Sequence, residues 1–136
     1  MIRQYSLAKD GNRKLAPSFN TREFRCRDGT DTILVDEALT VVLQCIREHF
    51  GKAVTITSGY RTPEHNAEVG GSKSSQHLLG RAADIRVAGV SVEYVAAYAE
   101  SLMPGWGGVG RYPVKAGRAT GWVHVDTRQN KSRWTL

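Results

Sequence analysis

Apolar side chains recur three or four residues apart along one long segment of this 136-residue chain, from Asp36 to Phe50. That spacing is typical of an amphipathic helix with one buried face. Asp36 has the short polar side chain that suits an N-cap, and Gly51 follows the last apolar position as a stop signal. We therefore predict a helix over this segment and interpret it as core structure without a role in a site.

Shorter elements alternate in the middle of the chain. Residues 54–57 predict a short strand, and Thr62 followed by Pro63 is typical of the start of a helix. Residues 82–87 alternate between two faces, as expected of a half-buried strand, and Asp84 lies on the polar face. The pattern thus places one carboxylate at a fixed position on the predicted sheet.

A second long helix and two further strands complete the pattern. Ser91 suits the N-cap of a helix that continues to about residue 103, and strand-like segments lie around 107–112 and 122–127. The order helix, strand, helix, strand, helix, strand, strand favours an α+β fold with a small, mainly antiparallel sheet flanked by helices. Residues 1–31 are polar and predict an irregular N-terminal arm, either wrapped around the domain or left over from a linker.

The length and composition fit a single domain over residues 1–136. No apolar run is long enough to cross a bilayer, and the N-terminus lacks the apolar core of a signal peptide. We predict a chain that is made in the cytoplasm, has no membrane partner, and needs another agent to reach a target outside the cell.

A formal charge of +6 favours anionic partners. The basic residues are scattered and no nucleic-acid-binding motif accompanies them, so nucleic acid is not the expected partner. Cys26 and Cys45 do not make a disulfide framework in a chain of this length, and we interpret them as free thiols without a metal role. His65, on the predicted short helix, is interpreted as a surface residue.

Candidate chemistry is concentrated in two other segments. Residues 75–84 place His77 seven positions before Asp84, and residues 121–126 contribute His124. Two neutral imidazoles and one carboxylate are a donor set that catalytic zinc sites use when the fourth position stays open. The alternative interpretation is that both histidines are ordinary loop and strand residues.

The full pattern, Ser-x-His-x(6)-Asp followed by Trp-x-His-x-Asp, resembles the zinc D-Ala-D-Ala carboxypeptidase family over residues 54–134. That family shares its fold with lysostaphin-type peptidases and the hedgehog signalling domain. The resemblance implies that His77, Asp84 and His124 bind Zn²⁺. It also implies a zinc metallopeptidase, a hydrolase that cleaves peptidoglycan stem peptides as a D-Ala-D-Ala carboxypeptidase or as an endopeptidase.

Two further residues are candidates for roles beside the metal. The resemblance makes Arg61 an electrophilic clamp for an oxyanion or a substrate carboxylate, because a guanidinium group binds paired oxygens. The alternative is a structural arginine tied to a nearby carboxylate. Ser75 is expected to bind substrate or to orient the loop of His77, unless it is a plain turn serine.

The chain departs from the family at the general base. Relatives place an acidic residue or a histidine a few positions before the last zinc histidine, where this chain has Gly121 and Trp122. Asp126 lies on the same strand face as His124. It is a candidate for the catalytic base, or for a hydrogen bond that fixes the tautomer of the histidine.

Two functions from different classes remain open. The first is a peptidase acting at the bacterial cell wall, in one version a phage or prophage endolysin released through a membrane pore. The second is a non-catalytic, zinc-stabilised module that binds the wall or a protein. The missing acidic residue before His124 favours the second. Arg61 and Asp126 favour the first, because a purely structural zinc needs neither.

Overall fold

The computed structural model describes residues 1–136 and contains nine strands and four α-helices. The strands, β1 to β9, are Ile2–Ser6, Lys14–Ala16, Phe19–Asn20, Thr32–Asp36, Val54–Ser58, Ala82–Val87, Gly108–Tyr112, Trp122–Asp126 and Ser132–Thr135. The helices, α1 to α4, are Leu7–Asp10, Glu37–Phe50, Pro63–Glu68 and Val92–Leu102, and 3₁₀ helices cover Thr21–Phe24 and Gln76–Leu79.

The main sheet has five strands in the order β5-β6-β8-β7-β9. Neighbouring strands are antiparallel except β7 and β9, which are parallel. Helices α2 and α4 pack against this sheet and share its hydrophobic core. The prediction of an α+β fold with a small, mainly antiparallel sheet flanked by helices is confirmed.

The predicted helix boundaries follow the cap residues. The Asp36 side chain accepts a hydrogen bond from the N–H of Ala38, and α2 ends at Gly51, whose φ of 62° is left-handed. Ser91 caps α4 and Thr62 caps α3 in the same way. No helix in the structure has the length and apolarity needed to cross a bilayer.

The prediction of an irregular arm over residues 1–31 is wrong. Strand β1 pairs with β4 in an antiparallel ribbon, with Ile2 opposite Asp36, and β2 pairs with β3. Phe19 and Phe24 are each 1% exposed and belong to the core. The strands were missed because their backbone partners lie elsewhere in the chain, and the periodicity of one short polar segment does not reveal such pairing.

The two faces of the main sheet have different tasks because side chains alternate along a strand. Ile85 on β6 and Val123 on β8 face the core with the helices. Asp84 and His124 lie on the opposite face and are direct cross-strand partners, while Asp126 is opposite Ala82. The pairing of β6 with β8 therefore holds two candidate ligands side by side.

Candidate metal centre and cleft

Three predicted ligands converge from three elements. His77 is on the 3₁₀ helix Gln76–Leu79, Asp84 is on β6 and His124 is on β8. Oδ1 of Asp84 lies 3.4 Å from Nε2 of His77 and 3.1 Å from Nδ1 of His124. All three side chains are buried, and their donor atoms lie within 4.8 Å of one another. The structure thus brings together the set predicted from the sequence.

Each imidazole presents one nitrogen to this centre and uses the other as an anchor. Nδ1 of His77 lies 2.7 Å from the carbonyl oxygen of Gly59, and Nε2 of His124 lies 2.7 Å from Oδ2 of Asp126. With a ring proton on the anchored nitrogen, the lone pair of the other nitrogen is available to a cation that replaces its hydrogen bond to Asp84. Both imidazoles are therefore oriented for binding a cation.

The charges also suit a cation. Burial alone would raise the pKa of Asp84, but its hydrogen bonds with His124 and His77 outweigh that effect and hold the pKa well below its usual range. The carboxylate is therefore ionised near neutral pH. Two imidazole nitrogens and one carboxylate oxygen, buried yet facing a cleft, fit a metal ion such as zinc that keeps its fourth position open.

The affinity of the metal-free protein for zinc is expected to fall as the pH is lowered. Burial alone would lower the pKa of His124, but hydrogen bonds to Asp126 and Asp84 outweigh it and raise the pKa. Below that raised pKa a binding metal displaces one proton, so the apparent Kd should increase about 10-fold per pH unit. Competition with a chromophoric chelator from about pH 5.5 to 8 measures this dependence. An affinity independent of pH would contradict the assignment of His124 as a ligand.

Arg61 lies at the edge of the centre, directly after the end of β5. Its guanidinium donates to Oγ of Ser58 at 3.0 Å, to Oδ1 of Asn66 at 3.3 Å and to Oδ2 of Asp84 at 3.4 Å. An arginine has five N–H donors, so two remain for a group in the cleft. Arg61 therefore contacts a predicted ligand, as its structural interpretation requires, and also lines the cleft.

A cleft of about 440 Å³ opens over the three ligands. Tyr112 stacks on Trp122 with ring centroids 4.8 Å apart, and Trp134 donates its indole N–H to the Tyr112 hydroxyl at 3.0 Å. Asp84 is the only acidic side chain in the lining. The complete lining is Arg61, Val69, Gly70, Gly71, Ser72, Ser75, Gln76, His77, Asp84, Tyr112, Trp122, His124, Arg128, Trp134 and Leu136.

Of the two remaining candidate site residues, Ser75 and Asp126, only Ser75 faces the cleft. Ser75 lines the cleft, and its Oγ accepts the N–H of His77 at 3.2 Å, which caps the 3₁₀ helix that carries this ligand. Asp126 does not line the cleft and is 0% exposed. Its oxygens are held by His124, by the N–H of Gly108 at 3.0 Å and by the guanidinium of Arg128.

Three large side chains of the cleft wall were not among the predicted site residues. Trp134 is on β9, Tyr112 is on β7, and Arg128 lies in the loop between β8 and β9. The signal that was present is the spacing Asp-x-Arg at residues 126–128, which suits a local ion pair. The aromatic residues lie in short segments without clear periodicity, so their meeting at the cleft followed only from the sheet order.

Three side chains that could hold a metal ion thus meet beneath one cleft, and comparison with known proteins identifies the family. A model of the Peptidase M15 family matches residues 17–126. Because this match covers most of the chain, the chain belongs to the Peptidase M15 family. The family resemblance drawn from the sequence motifs is thereby confirmed.

Two curated relatives carry specific names. The chain is 39% identical over 79 residues to the probable peptidoglycan L,D-endopeptidase MepK of Haemophilus influenzae. This alignment covers 54% of the chain and 39% of the length of that relative. It is 35% identical over 81 residues to the peptidoglycan L,D-endopeptidase MepK of Escherichia coli (strain K12), covering 56% of this chain and 41% of the relative. The chain thus spans about two fifths of the length of these relatives.

Proposed function

We propose that residues 1–136 act as one zinc-dependent peptidase unit that cleaves the peptide part of peptidoglycan. The observation that carries this proposal is the convergence of His77, Asp84 and His124 beneath a cleft, where each imidazole has one nitrogen anchored to an oxygen and the other facing the centre. Membership of the M15 family supports a peptidase. The names of the relatives support peptidoglycan as the substrate and an endopeptidase rather than a carboxypeptidase.

In this proposal the zinc ion supplies Lewis-acid polarisation of the scissile carbonyl and an acidified water. His77, Asp84 and His124 hold the ion. Arg61 offers its two free N–H groups to the carbonyl oxygen as negative charge develops there, and its bond to Asp84 keeps this ligand in place. The aromatic wall of Tyr112 and Trp122 positions the peptide and limits the access of water.

Of the two roles open for Asp126, we propose the orienting one. A carboxylate without exposure, bound to Arg128 and to a backbone N–H, is poorly placed to collect a proton in the cleft. Burial alone would raise its pKa, but the hydrogen bonds with His124 and Arg128 outweigh it and hold the pKa far below the usual range. Such a group is a weak base and a strong hydrogen-bond acceptor for Nε2 of His124.

Replacing Asp126 by asparagine is therefore expected to weaken zinc binding about 10- to 100-fold, because the anionic acceptor of His124 is lost. Zinc affinity is measured by chelator competition, with the exposed, remote Asp31→Asn as the matched control. If Asp126→Asn bound zinc as tightly as the natural chain while turnover disappeared, the base role would be right and the orienting role wrong.

Incubation of purified protein with peptidoglycan, with and without a chelator, tests the proposed activity. Released fragments are identified by mass spectrometry, and their masses name the cleaved bond. We expect fragments that vanish with the chelator and return with zinc. Loss of one terminal D-alanine would instead indicate a D-Ala-D-Ala carboxypeptidase. Lysis of intact cells by added protein would test the endolysin role and action at the cell wall.

A non-catalytic module that binds the wall is the second candidate. It is favoured by one observation, since Asp84 is the only acidic side chain lining the cleft and is committed to the metal centre. The same incubation separates the two functions. Zinc-loaded protein that sediments with peptidoglycan yet releases no fragment would support the binding module and overturn the peptidase.

A further inference from the structure

A second group of metal-binding side chains lies outside the cleft, where the N-terminal segment meets α3. Cys26 follows the 3₁₀ helix Thr21–Phe24, Asp28 is two residues further on, and His65 is on α3. The thiol sulfur, a carboxylate oxygen and an imidazole nitrogen lie within 4.8 Å of one another. None of the three lines the cleft above His77.

The sulfur is enclosed by long contacts, and the imidazole is incompletely satisfied. Cys26 is 0% exposed and forms no disulfide, and its sulfur lies 3.5 Å from the backbone nitrogen and 3.9 Å from the hydroxyl oxygen of Thr62, beside the Asp28 carboxylate. Nδ1 of His65 is buried and has no hydrogen-bond partner, since the carboxylate of Glu68 is 3.7 Å away. A buried polar atom without a partner costs free energy, which a bound cation would recover.

The carboxylate is exposed to solvent and held by its own partners. Oδ2 of Asp28 accepts from the Thr62 hydroxyl at 2.9 Å, and Oδ1 accepts from the N–H of Thr30 at 2.9 Å. Hydrogen bonds from Thr30, and further bonds from Cys26 and Thr62, hold the pKa of this carboxyl well below its usual range. Outer partners of this kind orient ligating carboxylates, and the exposed side gives an ion a path of entry.

We propose that Cys26, Asp28 and His65 form a second cation site, which prefers a borderline or soft divalent ion such as zinc because it combines sulfur, nitrogen and oxygen donors. Tetrahedral zinc places its ligand atoms about 3.5 Å apart, and the three donor atoms lie within 4.8 Å of one another, so a small closure of the group brings them to that spacing. The exposed carboxylate of Glu68 lies 3.7 Å from Nδ1 of His65, at the edge of this group. An ion there joins the N-terminal segment to the residues that follow Arg61.

Cobalt distinguishes this site from the centre in the cleft. The full metal-free chain is titrated with Co²⁺ while the thiolate-to-cobalt charge-transfer absorption is recorded in the near ultraviolet. The centre of His77, Asp84 and His124 contains no sulfur, so this absorption reports the second site alone. We expect two Co²⁺ per chain and a charge-transfer band in the natural protein. Wall hydrolysis does not enter the readout, so a failure of the proposed peptidase activity leaves this result unaffected.

Matched variants locate the band. Cys45→Ser should keep it, whereas Cys26→Ser should lose it and bind one Co²⁺. In case Cys26→Ser does not fold, His65→Ala provides a second measurement, and its half-saturation should move to about 10-fold higher Co²⁺ or more. The proposal is overturned by the absence of a band once the cleft centre is filled. It is also overturned by a band that survives in Cys26→Ser, disappears in Cys45→Ser, or is unchanged in His65→Ala.

Discussion

Replacing His77 by alanine is expected to remove zinc from the cleft and to reduce wall hydrolysis to the level seen with a chelator. The variant keeps only Asp84 and His124, and two donors do not hold a catalytic zinc ion. Zinc present at about 1,000 times its Kd stabilises the natural chain by about 4 kcal/mol, and the variant lacks this stabilisation because it does not bind the ion. For a chain of this size the melting temperature should therefore be lower by roughly 10–20 °C in zinc buffer.

Zinc stoichiometry by atomic absorption and thermal unfolding with and without zinc measure these effects. His49→Ala is the matched control, since His49 is exposed on α2 and stacks on Tyr98 with ring centroids 3.8 Å apart, far from the centre. The control should keep zinc and activity. The ligand assignment fails if His77→Ala retains the zinc-dependent increase in melting temperature and the zinc count of the natural protein.

Replacing Arg61 by lysine is expected to lower kcat by about 10²- to 10³-fold while zinc remains bound, because an oriented donor to the developing oxyanion is lost. Lysine keeps the positive charge but has one compact ammonium group. It cannot contact Ser58, Asn66 and Asp84 together and still present donors to the cleft. Measurements of kcat, KM and zinc content on one soluble wall peptide separate these contributions.

Arg47→Lys, on α2, is the matched control for the Arg61 variant. A purely structural Arg61 would give a different pattern. In that case Arg61→Lys would lower thermal stability and zinc content, and kcat per bound zinc would equal that of the natural chain. That outcome would remove Arg61 from the catalytic machinery and leave it as the anchor of Asp84.

The sequence predicted the parts of the fold that are encoded locally. Cap residues such as Asp36 and Ser91 mark helix starts because they satisfy backbone N–H groups within one turn. The ribbon of β1 and β4 was missed, since it depends on pairing between segments about 30 residues apart. The parallel strand β9 was missed for the same reason, because it pairs with β7 rather than with β8, its neighbour in sequence.

The candidate site shows the same division. The motif pattern predicted His77, Asp84 and His124 as ligands, and the structure brings these three residues together. The surroundings of Asp126 could not be predicted, because the N–H of Gly108 reaches it from the adjacent strand. His65 was interpreted as a surface residue and Cys26 as a thiol without a metal role, since only the tertiary fold brings them together.

The strand order also determines when the metal centre can form. Strand β8 lies between β6 and β7, both of which precede it in the chain, so it must enter a gap between two strands that are already synthesised. His77 and Asp84 are close in sequence, but His124 meets them only when β8 pairs with β6, and it is 40 residues from Asp84 in the chain. Closure of that long loop is a slow, entropically costly step of folding. A chain that has not completed it offers two donors, so tight zinc capture reports that the central strand has been inserted.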